Sequence, residues 1–233
     1  MIRAWLLPIV CLLPLLAQPA IAQRSSSYSS RYDTSVAMVD LRFGQENTDV
    51  RFSDGDTVTD FENGFLLVDI LGEFVPHTLG GGRFGWSTGS GNDRDATQGM
   101  NMRGYTLGVV IGGQYPLAGE NVSLLAGGHV QFTDTFGDTE RQETDYSWWS
   151  LLTRLGVTLH VKRVSLTGGA TYRYIDGKER TRGDIDRTTS FTIDRRDSAF
   201  IELDLNSDPG GHVGVSLEGG GTNAWHFYFR RFF

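Results

Sequence analysis

The chain has 233 residues, 28 acidic and 21 basic, and a formal net charge of −7, a balance that excludes nucleic acid as a partner. With 30 glycines, 12% aromatics and a single cysteine, the composition points to β structure and leaves no disulfide framework. Its mean hydropathy of −0.24 resembles that of a soluble protein, yet half of each strand in a membrane barrel is polar, so the value does not exclude one.

Residues 1–22 read as a secretory signal peptide. Arg3 supplies the positive start, residues 4–17 the apolar stretch, and Ala20-Ile21-Ala22 a small-x-small cleavage site. The apolar stretch is too short to span about 30 Å of hydrocarbon and carries Pro8 and Pro14. Cys11 leaves with it, so the exported chain has no thiol, and losing Arg3 leaves a charge of 20 − 28 = −8. Residues 23–34, rich in serine and without periodicity, are expected to form a disordered periplasmic leader, and residues 35–233 one domain.

From residue 35 onward apolar and polar residues alternate with a period of two almost to the end. The first strand, 35–43, sends Val39, Leu41 and Phe43 to one face and Asp40 and Arg42 to the other. The second, 62–75, sets Leu66, Val68, Ile70 and Phe74 against Asp69 and Glu73, and a short third, 82–88, shows Phe84 and Trp86 on one face. In the fourth, 102–115, Tyr105, Leu107, Val109, Ile111 and Tyr115 oppose Thr106, Gly108 and Gln114; in the fifth, 122–133, Leu124, Val130 and Phe132 oppose His129 and Gln131. The sixth opposes Trp149, Leu151, Leu155 and Val157 to Ser150, Arg154 and His160, and the seventh, 164–175, opposes Tyr172 and Tyr174 to Arg173. The eighth, 198–205, alternates Ile201 and Leu203 with Glu202 and Asp204, and the ninth, 212–218, places Val213 and Val215 opposite Glu218. The tenth is the aromatic ending, 225–233.

Long charged loops are expected at 44–61, 89–101, 134–147 and 176–197, with tight turns at 76–81, 116–121, 162–163 and 206–211. Long connections on one rim and short ones on the other, with aromatics at strand ends and aliphatics between, predict an all-β, transmembrane antiparallel up-and-down barrel. Ten strands fit the pattern best, and eight remain an alternative because the third and ninth are short and glycine-rich.

The ending Trp225-His226-Phe227-Tyr228-Phe229-Arg230-Arg231-Phe232-Phe233 resembles the C-terminal signature of bacterial outer-membrane β-barrel proteins. That resemblance implies export to the outer membrane and a terminal strand, with Phe229 and Phe233, that the barrel-assembly machinery reads. A comparison with the omptin proteases of the outer membrane goes no further than Asp93-Arg94-Asp95, similar to one aspartate pair; loop 176–197 has no histidine to complete the second pair. The chain is not expected to be an enzyme.

The inward row collects Asp40, Arg42, Asp69, Glu73, His129, Arg154, Arg173, Glu202, Asp204 and Arg230, expected to pair across a narrow lumen because an unpaired charge away from water is costly. His129, His160, His212 and His226 read as polar filler, so no metal or cofactor is expected. Gly80-Gly81-Gly82-Arg83-Phe84-Gly85 fits a dinucleotide motif literally but lacks the helix that motif needs. The outer loops, acidic at Glu46, Asp49, Asp54 and Asp138 and basic at Lys178, Arg180, Arg195 and Arg196, suit lipopolysaccharide as a partner. The expected role is structural or interactive, through outer loops that meet an unidentified protein or small solute. The alternatives are a narrow porin-like channel, an outer-membrane hydrolase and a secreted lipocalin-like barrel.

Overall fold

The computed structural model describes residues 37–55, 58–91, 97, 100–117, 121–208 and 210–233; the expected signal peptide and leader lie outside the described residues. No helix there is long and apolar enough to cross a membrane, a criterion that does not bear on strands.

Among the described residues eleven strands follow one another: β1 Ala37–Phe52, β2 Val58–Val75, β3 Thr78–Gly91, β4 Arg103–Pro116, β5 Val122–Asp138, β6 Gln142–Val161, β7 Val164–Gly183, β8 Arg187–Ile193, β9 Asp197–Asp208, β10 Gly211–Gly220 and β11 Thr222–Phe232. Every pairing is antiparallel. Ten strands close a ring: β1 to β7 in sequence, then β9, β10 and β11, which returns to β1. The closing register runs from Met38↔Phe232 to Thr48↔Thr222. It leaves no edge of unpaired N–H and C=O groups, the condition a sheet must meet to stand in hydrocarbon.

The faces follow the alternation. On β4, Leu107, Val109 and Ile111 are 53%, 62% and 52% exposed, whereas Thr106 between them is 1% exposed. Tyr105 and Tyr115 cap this outward row. At about 3.3 Å per residue and a tilt near 40°, their separation spans about 25 Å of height, that of a membrane barrel's apolar band. Phe43, Trp86, Tyr105, Trp149, Trp225 and Phe227 crown the outer border; Phe74 and Phe233 stand exposed at the inner one. At the inner rim Lys162 and Arg163 form a two-residue hairpin turn between the paired Val161 and Val164, with Lys162 at φ 56°.

The strands run longer than the alternation of 35–233 suggests, and this corrects the loop boundaries. Segment 44–61 continues β1 to Phe52 and starts β2 at Val58; segment 134–147 is mostly β5 and β6; segment 176–197 holds the end of β7 and all of β8. Charged residues fill the outward positions there, which made these stretches look like loops. Apart from Glu46, Glu179 and Arg187, the inward positions stay apolar or small: Val50, Phe52, Phe61, Tyr146, Trp148, Ile175 and Phe191 are buried. The third and ninth predicted strands are likewise longer, as β3 and β10.

β8 is the unpredicted element. It lies at the outer end between β7, with Asp176↔Thr192 to Thr181↔Arg187, and β1, with Val50↔Ile193 to Phe52↔Phe191. At that height β9, β10 and β11 have stopped, so one strand takes the place of three and the cylinder narrows outward.

Candidate functional site

The interior is layered. On β1 the inward row reads, from inner to outer end, Met38, Asp40, Arg42, Gly44, Glu46, Thr48, Val50, Phe52, passing from charge through hydroxyl to hydrocarbon.

The charged layer lies within the ten-stranded part. Asp69 on β2 and Arg83 on β3 are direct register partners and pair through two parallel bonds, Nε to Oδ1 at 2.7 Å and a terminal nitrogen to Oδ2 at 2.8 Å. Arg83 also donates to Gln131 Oε1 at 3.0 Å. Asp40 accepts from Arg42 at 2.7 Å and, across the closing seam, from Arg230 at 3.2 Å. Arg42 lies 3.6 Å from Asp69 and so joins the two groups. Opposite them, Arg154 meets Glu202 at 2.9 Å, donates to Ser216 at 3.0 Å and lies 3.6 Å over the Phe200 ring. Tyr228 donates toward Asp204 at 2.7 Å and Glu202 at 3.1 Å, and His212 bonds Asp204 at 2.8 Å. Gly214 makes the room for Tyr228, because a Cβ there would run into its ring. Arg173 bonds Glu46 and lies 3.8 Å from Glu218.

Among the residues singled out from the sequence, the structure therefore brings Asp40, Arg42, Asp69, Arg154, Arg173, Glu202 and Arg230 into ion pairs, and Asp204 into hydrogen bonds with His212 and Tyr228. Glu73 is not brought in: a bulge at 73–75 leaves it at the inner turn, accepting the His77 backbone N–H at 2.9 Å. His129 lies on the inward row of β5 without an ion pair to the network among the described residues. His160 bonds Ser123 and Ser165, each at 2.9 Å, as a local strand tie. Phe229 and Phe233 face outward, 48% and 73% exposed. Asp93 and Asp95 lie outside the described residues.

Three participants escaped the sequence reading. Arg83 sits among glycines that blurred its strand, although its position between Gly82 and Phe84 puts it opposite the aromatic face. Glu46 was assigned to an acidic loop, yet it continues the 40–42–44 row into the lumen. Tyr228 was counted with the aromatic ending, but its parity is that of His226 and Arg230.

Above the charges comes a hydroxyl collar. Ser87 bonds Thr106 at 2.7 Å, Thr106 bonds Thr133 at 3.0 Å, and Thr48 bonds Thr222 at 3.2 Å across the seam. Above that, inside the narrowed end, sits a water-excluding cluster of Val50, Phe52, Phe61, Met100, Met102, Tyr146, Trp148, Ile175, Phe191 and Ile193. Phe61 is its hub, with ring centroids 5.3 Å from Tyr146, 5.4 Å from Trp148 and 6.1 Å from Phe191. Edge-on and offset contacts at such distances are the favourable aromatic arrangements. Glu179, fully buried, roofs the cluster: it accepts from Tyr146 at 2.7 Å and from Arg187 at 3.0 Å.

This arrangement is suited to filling a cylinder and blocking passage. Among the described residues no group of three or more His, Cys, Asp or Glu side chains is placed to hold a metal ion. A closed wall with an oily exterior and an ionic interior inverts the polarity of a soluble barrel, and it is the outer-membrane solution to burying every backbone polar group.

No protein-family profile and no curated protein matches the chain. Among solved structures it is similar to the outer-membrane protease OmpT of Escherichia coli, with 13% identity and a TM-score of 0.44 over 90% of this chain and 100% of that one. It is also similar to the translocator domain of the autotransporter NalP of Neisseria meningitidis, at 13% identity and 0.45 over 86% and 90%. An outer-membrane channel of Pseudomonas putida is similar at 11% identity and 0.47 over 91% and 100%. All three are bacterial outer-membrane proteins. By its own inverted polarity and closed wall, this chain is a membrane-spanning β-barrel.

Proposed function

We propose that this outer-membrane barrel is a non-conducting scaffold that displays a rigid platform, the paired outer ends of β1, β2 and β5 to β8, to a partner at the cell surface. The observation that carries this reading is the apolar plug around Phe61. Water and ions crossing the lumen would have to enter the centre of an aromatic cluster whose Tyr146 and Phe191 are 0% and 1% exposed. Below it, the paired charges of the lumen further fill the bore, and aqueous channels usually take about 16 strands or more. The reading assigns no catalysis. It retains the barrel-assembly machinery as the partner that engages the outward Phe229 and Phe233, and lipopolysaccharide as the surrounding lipid.

The rival with an observation of its own is a narrow channel, favoured by the charged inner lumen. Planar-bilayer recording separates the two. The scaffold reading expects the native protein to give no current steps, and expects steps to appear when Phe61→Ala and Phe191→Ala are combined. Native steps whose ion selectivity changes in Arg154→Gln would establish the channel instead.

A further inference from the structure

The narrowing of the cylinder leaves a shelf. β9 begins at Asp197, β10 ends at Gly220 and β11 begins at Thr222, while β7 continues to Gly183 behind them. The shelf stands at the height of the outer aromatic border, where Tyr172, Tyr174, Trp225 and Phe227 are 45%, 37%, 41% and 44% exposed. Amphipathic rings settle at the headgroup layer, so this ledge lies where lipid phosphates lie.

Cations occupy it. The chain descends from β8 to β9 through residues 194–196 and is pinned to the wall by the Arg173 N–H to Arg196 carbonyl bond of 2.7 Å. Arg196 lies 5.1 Å over the Tyr174 ring and donates to the Tyr172 hydroxyl at 3.1 Å, so two girdle rings fix its guanidinium at the border. Arg195 rests against the β10–β11 turn, where a Cβ on Gly221 would strike its carbonyl. Lys178 points outward from β7 above Tyr174. All three side chains are exposed, and none makes an ion pair within 4.0 Å among the described residues. The neighbouring acids are Asp176 on β7, Asp197 at the start of β9, and Asp194, which is already held by Arg51 at 2.6 Å. In a chain with an excess of acid, three cations left without carboxylates on a ledge at headgroup height call for an anion from outside.

We propose that Arg195, Arg196 and Lys178 bind the phosphate of a phosphorylated glycolipid of the outer leaflet, with Tyr172 and Tyr174 against the base of its headgroup. Guanidinium groups suit this ligand because they offer a fork of donors to phosphate oxygens, and Arg196 is already oriented. The inference uses the membrane embedding of the barrel but not its lack of conductance, so the two readings fail separately.

The test is native mass spectrometry of the detergent-solubilised, full-length exported protein with bisphosphorylated lipid A, and with the same lipid after enzymatic removal of both phosphates. The phosphorylated lipid is expected to stay bound and the dephosphorylated one to leave. Replacing Arg195, Arg196 and Lys178 together by Ala is expected to lower retention about tenfold or more, the loss of charge-assisted bonds worth over 1.4 kcal/mol. Arg141→Ala, at the remote β5–β6 turn, serves as the control and is expected to change nothing. Heat-modifiable gel mobility verifies that each variant is folded. If the barrel retains both lipids equally, if the triple variant retains as much as the native protein, or if Arg141→Ala loses as much as the triple variant, the assignment is wrong.

Discussion

Among the described residues, Asp69 and Arg83 are the most deeply buried ion pair of the lumen, with side chains 0% and 3% exposed and two bonds in parallel. Such a pair adds little net stability over an apolar pair, but removing one member strands the other charge. Asp69→Ala is therefore expected to cost about 3–5 kcal/mol, whereas Asp69→Leu with Arg83→Met restores most of the loss. Urea unfolding of the micelle-bound barrel, followed by tryptophan fluorescence, measures both; equal losses in the single and double variants would refute the pairing argument. At this scale parity made Asp40 and Arg42 legible from the sequence, because each is flanked by apolar neighbours, and Arg154 legible because it shares the parity of the polar Ser150 and Thr158, opposite the outward Leu151 and Leu155. Arg83 was not legible for the same reason in reverse: Gly80, Gly81, Gly82 and Gly85 around it carry no polarity to alternate with.

At the scale of elements, β8 shows what alternation alone does not reveal. Its residues Thr188, Thr189, Ser190, Phe191, Thr192 and Ile193 are a plain strand sequence, but nothing local says that it pairs with β1, more than 130 positions away. Once Val50, Phe52, Phe191 and Ile193 need a common interior, the pairing follows from burial. Gly177 on β7 makes that packing fit: a Cβ there would enter the Phe191 ring and touch the Trp148 Cβ. Gly177→Leu is expected to expel Phe191 and detach β8, at a cost of about 1–3 kcal/mol for overpacking. Limited proteolysis from the outer side should then cut within 184–197 while the ten-stranded ring stays intact. A digestion pattern identical to that of the native protein would show that β8 is not held by the plug. By contrast, the tight turn at Lys162 and Arg163 was legible, since two residues between aligned Val161 and Val164 leave the chain no other geometry.

At the scale of the whole molecule, the architecture follows from one inversion, an oily exterior around a salt-bridged interior. The ten-stranded ring and its aromatic borders were legible because this inversion imposes a period of two on each strand and rings at its ends. The extended outer end was not, because there the exterior meets water and the interior turns apolar, the polarity of a soluble barrel, while the charged outward residues mimic loops. The same switch underlies the proposed function: a polar bore below, a dry stopper above. It predicts that breaking the plug changes permeability without unfolding the barrel, so that Phe61→Ala with Phe191→Ala keeps its heat-modifiable gel mobility while gaining conductance. Loss of that mobility would mean that the plug holds the fold and does not merely block the bore.

The most direct measurement is a nitroxide scan along β4, residues 105–111, one cysteine at a time in a Cys11→Ala background, with the protein in lipid vesicles. Oxygen, which concentrates in hydrocarbon, is expected to reach labels at 105, 107, 109 and 111 and to miss those at 106, 108 and 110. Low oxygen access at the odd positions, with no period of two, would place the oily rows inside a water-soluble core and contradict the account.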